Sequence, residues 1–194
     1  MNSIDEYLRD AEQAHGHLCA GQVLGVRLAM LGLQKLGIDD PRGKDRKRLV
    51  TFVEIDRCAT DAVGVVTGCR LGKRALKFRD WGKMAATFVD VNSGKAVRVA
   101  AKESSKDLAR QMHPEIENKN QQQMLAYREM SDDDLFATQW VKVDLRPEEF
   151  PGYKGNRVVC DLCGEGINFR REVREEGKVL CCGCAGNSYY KPLP

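Results

Sequence analysis

Four cysteines near the C-terminus constrain the fold of this chain more than any other feature. The pairs Cys160/Cys163 and Cys181/Cys184 both have the form Cys-x2-Cys, and 17 residues separate them. Two intervening residues let a tight turn direct both sulfur atoms of a pair at one metal ion. The sequence therefore predicts a small four-cysteine zinc-binding domain at residues 156–194. Cys182 leaves a second register open, and disulfide bonds are the less favoured alternative.

Composition bounds the kind of protein that carries this unit. A hydrophobic share of 42% and a charged share of 30% are typical of a globular protein. A formal net charge of +3 is too small to indicate a nucleic-acid or membrane partner. Five charged side chains among the first fourteen residues argue against a secretory signal. With no signal and two Cys-x2-Cys pairs, we expect a cytoplasmic protein that binds metal through reduced thiols.

Residues 1–150 predict an α+β core domain in which a mixed or antiparallel sheet packs with helices. Hydrophobic periodicity and turn signals place the elements. The predicted helices are at 3–14, 21–36, 62–67, 103–112, 114–130 and 131–134, and the predicted strands are at 49–55, 75–79, 83–91, 95–100 and 139–145. Gly25, Ala29 and Gly32 form a stripe of small residues on the second helix, which predicts close approach of a neighbouring helix or strand.

A cluster of metal-ligand side chains lies between the first two predicted helices. His15, His17 and Cys19 fall within five residues, and glycine occupies position 16. A helix would turn the two imidazoles to different faces, because residues two apart do not share a face. The metal-binding interpretation therefore requires a turn, which Gly16 permits. The alternative is a linker with solvated histidines and a small buried Cys19.

Cys58 is the candidate catalytic thiol. It follows the predicted strand at 49–55 and precedes a predicted helix. The dipole and free N–H groups of a helix N-terminus lower the pKa of a nearby thiol. The sequence thus predicts a reactive thiolate at this position.

Four motifs in one order resemble the E-subunit family of formylmethanofuran dehydrogenase. They are His-Gly-His-Leu-Cys-Ala-Gly-Gln-Val-Leu-Gly from His15, Glu-Ile-Asp-Arg-Cys-Ala-Thr-Asp-Ala from Glu54, Thr-Gly-Cys-Arg-Leu-Gly-Lys from Thr67 and Gly-Lys-Met-Ala from Gly82. The resemblance covers about residues 10–100, and the four-cysteine tail resembles an extension that many members carry. Ala20 departs from the family, which usually has proline there. The resemblance implies an α+β core, a zinc finger and often a dimer.

The resemblance also matches His15, His17, Cys19 and Cys58 to family motifs. Two nitrogen and two sulfur donors suit zinc or another late transition metal. We therefore expect a second metal site, held by His17, Cys19 and Cys58, with His15 as a further ligand or as a group that orients one. Asp61 could accept a hydrogen bond from a ligand imidazole, and its alternative role is helix capping.

Three functions remain open at this stage. The first is a metal-binding accessory or regulatory protein linked to molybdenum- or tungsten-dependent one-carbon chemistry, with a protein partner at the zinc finger. The second is a small metalloenzyme, which requires a pocket at the His17–Cys19–Cys58 junction. The third is a zinc-finger regulator that binds nucleic acid, which eight basic against seven acidic residues from 146 to 194 do not favour. The chain is too short to be a complete formylmethanofuran dehydrogenase by itself.

Overall fold

The computed structural model describes residues 1–193 and divides the chain into two compact units. The first unit is Met1–Asp144 and the second begins at Leu145. The helices of the first unit are α1 (Ile4–His15), α2 (Ala20–Leu36), α3 (Cys58–Thr67), α4 (Ser104–Met112), α5 (Lys119–Glu129) and α6 (Asp132–Leu135). Its strands are β1 (Leu49–Val53), β2 (Leu76–Phe78), β3 (Ala85–Asp90), β4 (Ala96–Ala101) and β5 (Phe136–Val141).

The five strands form one mixed sheet in the order β2-β1-β3-β4-β5. β1 and β2 run parallel because α3 connects them, whereas the other neighbours are antiparallel. β3 and β4 form the predicted hairpin around Gly94, whose φ of 71° suits glycine. The predicted α+β class with a mixed sheet is confirmed.

Helix α2 lies at the centre of the first unit and is buried over most of its circumference. It packs against α3 and against the sheet strands β3 and β4. A Cβ added to Gly25 would lie 2.6 Å from the carbonyl oxygen of Ala59 on α3, and one added to Gly32 would collide with the ring of Phe88 on β3. The prediction that small residues permit close approach is confirmed at both glycines.

An ion pair is buried between β1 and β4. The carboxylate of Glu54, which follows β1, accepts hydrogen bonds from Nε and Nη2 of Arg98 at 2.7 and 2.6 Å. Glu54 is only 3% exposed. The guanidinium thus provides the charge and the donors that a buried carboxylate requires.

Two predicted helix starts are wrong. α5 begins at Lys119 rather than at Pro114, because Asn118 caps it through a 3.0 Å bond from the backbone N–H of Gln121. The side-chain amide of Gln122 donates to the carbonyl of His113, and this bond holds the preceding loop. α3 begins at Cys58, four residues earlier than predicted.

The second unit contains two small hairpins. β6 (Val158–Val159) pairs with β7 (Gly166–Ile167), and β8 (Val173–Glu175) pairs with β9 (Lys178–Leu180). The first hairpin carries one cysteine pair, and the second leads into the other pair. Within residues 1–193, no helix combines the length and the apolar character needed to cross a bilayer.

Candidate metal centres

The four cysteines of the second unit converge on one point. The sulfur atoms of Cys160, Cys163, Cys181 and Cys184 all lie within 4.8 Å of one another. Cys163 and Cys181, from different pairs, have sulfur atoms 3.9 Å apart. Cys182 lies outside this set, and its thiol donates to the carbonyl of Arg171. The structure therefore brings together the two Cys-x2-Cys pairs in the predicted register, as a cluster that could hold a metal ion.

Backbone donors prepare this cluster for negative charge. The N–H of Cys181 donates to Sγ of Cys160 at 3.2 Å, and the N–H of Cys184 donates to Sγ of Cys181 at 3.3 Å. Hydrogen bonds from the backbone of Cys163, and then of Cys181, lower the pKa of Cys160 to about 6. The contact with Cys181, followed by burial, raises the pKa of Cys184 to about 12. Four adjacent sulfurs thus resist joint ionisation, and a divalent cation would relieve that repulsion.

The second centre forms where α1 ends. His15 is the last residue of α1, and Gly16 adopts a left-handed φ of 96° that ends the helix. The chain then turns, and Cys19 becomes the N-cap residue of α2. The ligand atoms of His15, His17 and Cys19 lie within 4.8 Å of one another. The predicted turn between the helices is confirmed, and it places three donor side chains where one metal ion could contact all of them.

His15 is oriented by α3. Its Nδ1 lies 2.8 Å from Oδ2 of Asp61. A carboxylate partner favours the tautomer that carries the proton on Nδ1, which leaves Nε2 as a metal donor. The hydrogen bond anticipated for Asp61 is present in the structure, and Asp61 and Cys58 place α3 on both sides of the centre.

Cys58 lies beside Cys19 but is not among the three residues whose ligand atoms are mutually close. Its thiol is hydrogen-bonded to that of Cys19. A Cβ added to Gly21 would lie 3.2 Å from Cβ of Cys58 and 3.7 Å from Sγ of Cys19, so the missing side chain leaves room for this contact. The expected set of His17, Cys19 and Cys58 is thus observed with His15 as the third closely grouped donor and Cys58 at its edge.

The predicted thiolate at Cys58 is wrong for the metal-free site. Burial, and then the thiol of Cys19, raise the pKa of Cys58. Arg57 opposes this increase with a smaller effect. The position at the N-terminus of α3 is as predicted, but the neighbouring thiol and the loss of water outweigh it.

A cavity of about 420 Å³ opens beside the second centre. His17, Cys19 and Cys58 line one side of it, which satisfies the pocket requirement of the metalloenzyme hypothesis. Sequence reasoning missed the other side, which consists of residues from the start of α4 and from α5, including Lys102, Lys106, Asn120 and Tyr127. No motif marks these residues, and only the tertiary fold brings them to the metal-ligand cluster.

Cys69 has no place in either centre. It is buried between α3 and β1, and its sulfur accepts a hydrogen bond from the hydroxyl of Thr51 at 3.5 Å. Burial raises the pKa of this thiol. Cys69 is therefore a structural residue of the core.

Comparison with known proteins identifies relatives of the chain. The profile of the family described as "FmdE, Molybdenum formylmethanofuran dehydrogenase operon" matches residues 14–137. A probable S-adenosyl-L-methionine-binding protein from Archaeoglobus fulgidus is 31% identical over 98% of the chain and 55% of the relative. The chain thus spans about half the length of that relative. The crystal structure of an FmdE-like protein of the tungsten formylmethanofuran dehydrogenase type, from Syntrophus aciditrophicus, matches 98% of this chain and 96% of that one, with 24% identity and a TM-score of 0.65. This likeness supports the fold.

Proposed function

Because the chain belongs to the FmdE family, we propose that it is a metal-binding accessory or regulatory protein linked to molybdenum- or tungsten-dependent one-carbon chemistry. One observation carries the proposal most directly. His15, His17 and Cys19 converge beside a cavity, with the thiol of Cys58 in contact with Cys19. Structural stability does not require such an arrangement, because buried or half-buried thiols and imidazoles serve a core poorly compared with apolar side chains.

The proposed metal at this centre is zinc. Imidazole nitrogen and thiolate sulfur form the ligand set that zinc prefers, whereas magnesium and calcium require oxygen ligands. His15, His17 and Cys19 would hold the ion, and Cys58 would either complete the set or remain a free thiol at the edge of the cavity. With three protein ligands, zinc would supply Lewis acidity to a molecule in the cavity. With four, it would be a structural ion.

The proposed role of the second unit is structural and adhesive. Zinc bound by its four cysteines would contribute folding energy on the order of 10–16 kcal/mol. A unit of about 50 residues buries too little apolar surface to fold securely without such a contribution. We propose that its surface contacts a protein partner and that the chain forms a homodimer. Light scattering coupled to gel filtration, with and without zinc, would test the dimer.

Both metal centres require reduced cysteines, so the proposed function belongs in a reducing compartment such as the cytoplasm. All eight cysteines are unpaired by disulfides in the structure. Thiolate ligands oxidised to disulfides could not bind metal.

Metal content provides the test. Elemental analysis of the purified full chain should give two zinc ions per chain for the wild type and one for Cys19→Ser. Cys69→Ser is the matched control, because it removes a thiol from the same unit outside both clusters, and it should retain two. One ion per chain in all three proteins would eliminate the core metal site and leave only the tail.

A second candidate function is binding of S-adenosyl-L-methionine. The relative from Archaeoglobus fulgidus that supports it is described as a probable binder of this molecule, and the match covers 98% of our chain. The cavity of about 420 Å³ falls in the range of small-molecule pockets. Calorimetric titration of the zinc-loaded chain with S-adenosyl-L-methionine would test it. A stoichiometry of one would favour this function, and the absence of heat at millimolar ligand would reject it for this chain.

A further inference from the structure

The cavity beside the core metal centre is lined with an excess of positive charge. Three cationic side chains border it, those of Arg57, Lys102 and Lys106, against one carboxylate, that of Glu103. All four residues are exposed, so the charges lie at the mouth of the cavity rather than at its base. An anionic molecule entering the cavity would therefore meet an attractive field before it reached the metal-ligand side chains.

The three cations differ in what already binds them. Lys106 forms a 2.5 Å ion pair with Glu103, and Lys102 donates to the backbone carbonyl of Asp133 at 2.5 Å. Arg57 has neither a hydrogen bond nor an ion pair within residues 1–193. Its guanidinium thus offers five N–H donors to a ligand, in a fork that matches the two oxygens of a carboxylate or phosphate.

Two helices begin at the same wall of the cavity. Cys19 is the N-cap residue of α2 and Arg57 is that of α3, and neither supplies a side-chain cap. The helices contain 17 and 10 residues, long enough for a full dipole at each N-terminus. One N–H of α2, that of Ala20, is bound by Oδ1 of Asn120 at 2.9 Å. The amide nitrogen of Asn120 consequently remains as a further donor at the cavity.

Apolar side chains line another part of the cavity, among them Leu24, Ile55 and Met84. A volume of about 420 Å³ exceeds what a single inorganic ion would fill. The lining therefore fits a molecule with one charged end and an apolar body, as most ligand pockets combine a few polar groups with apolar walls.

We propose that this cavity binds a small molecule that carries an oxyanion, a carboxylate or a phosphate, and that Arg57 binds the oxyanion while the apolar wall receives the rest. The inference rests on the proposed function only in placing this molecule next to a bound metal. Recognition by Arg57 and the helix N-termini stands on the cavity itself.

Titration of the zinc-loaded full chain by amide NMR tests the proposal, with inorganic phosphate in one arm and butyrate in the other. The amides in the first turns of α2 and α3 should shift in at least one arm, and the stronger arm identifies the class of oxyanion. Arg57→Gln should weaken that binding about tenfold or more, because it removes a charge-assisted hydrogen bond. Arg46→Gln is the matched control, since it removes an exposed arginine that does not line the cavity, and it should bind as the wild type does.

Two results would overturn the proposal. One is the absence of shifts in both arms, and the other is equal affinity of Arg57→Gln and Arg46→Gln. Zinc content measured on the same samples separates the two hypotheses. One zinc per wild-type chain would refute the core metal site, while the comparison of the two arginine variants would still decide whether the cavity binds oxyanions.

Discussion

Replacement of Gly25 by alanine tests the packing that positions the core centre. Gly25 lies in α2 where it crosses α3, and Cys58 is the first residue of α3. A methyl group at this position would lie 2.6 Å from the carbonyl oxygen of Ala59, 2.7 Å from its Cα and 2.9 Å from Cβ of Ala62. Two of these atoms belong to the backbone and cannot rotate away, so α3 must move away from α2.

The expected loss of stability follows from two opposing terms. Alanine in place of glycine in a helix interior gains about 0.8–1.0 kcal/mol. Overpacking a close contact costs about 1–3 kcal/mol, and a backbone contact belongs at the upper end. The net change for Gly25→Ala is therefore a loss of about 1–2 kcal/mol in the free energy of unfolding.

Gly64→Ala provides the matched control on α3. A methyl group there would lie 3.4 Å from the carbonyl oxygen of Cys69, an ordinary contact. This variant should gain about 0.5–1 kcal/mol from helix propensity. Urea unfolding of both zinc-loaded variants, followed by circular dichroism, measures the difference. Equal or greater stability of Gly25→Ala compared with Gly64→Ala would refute the proposed contact between α2 and α3.

Three further changes test other parts of the structure. Arg98→Ala leaves the carboxylate of Glu54 buried without its partner and should lower the free energy of unfolding by about 3–5 kcal/mol in urea; a loss below about 1 kcal/mol would contradict the assigned ion pair. Asn118→Ala removes the cap that accepts the N–H of Gln121 and should cost about 1 kcal/mol by the same assay, with unchanged stability arguing against the cap. A zinc chelator should open residues 145–194 to limited proteolysis while the first unit stays protected, and equal protection of both units would contradict the structural role of zinc.

The sequence predicted elements well where the chain signals them locally. The capping box at Ser3, the left-handed glycines that end α1 and α2, and the hairpin at Gly94 all depend on short-range geometry. The start of α5 was misplaced because Pro114 and Asn118 are both good helix starts. The bonds from the side chain of Gln122 to the preceding loop, which follow from the folded structure, accompany the cap at Asn118.

The candidate centres show the same division between local and tertiary information. Spacing alone indicated the four-cysteine cluster, because each pair closes within one turn. The turn at Gly16 likewise brought together His15 and Cys19 from neighbouring positions. The contact of Cys58 with Cys19 depends on how closely α2 packs against α3, and the cationic side of the cavity comes from segments more than 80 residues from Cys19. Neither could be read from periodicity or spacing.

The direction of the Cys58 pKa was mispredicted for a related reason. The sequence revealed the helix N-terminus, which lowers a thiol pKa, but not the burial and the second thiol, which raise it. Such competing effects depend on the distance between residues that are far apart in the sequence.

An anomalous difference map at the zinc absorption edge, from crystals of the full chain grown with zinc, would test the central claim most directly. We expect two peaks per chain, one among Cys160, Cys163, Cys181 and Cys184 and one in contact with His15, His17 and Cys19, at the zinc–ligand distances of about 2.0–2.3 Å found in proteins. A single peak at the four cysteines, with ordered but unligated side chains at His15, His17 and Cys19, would contradict the claim.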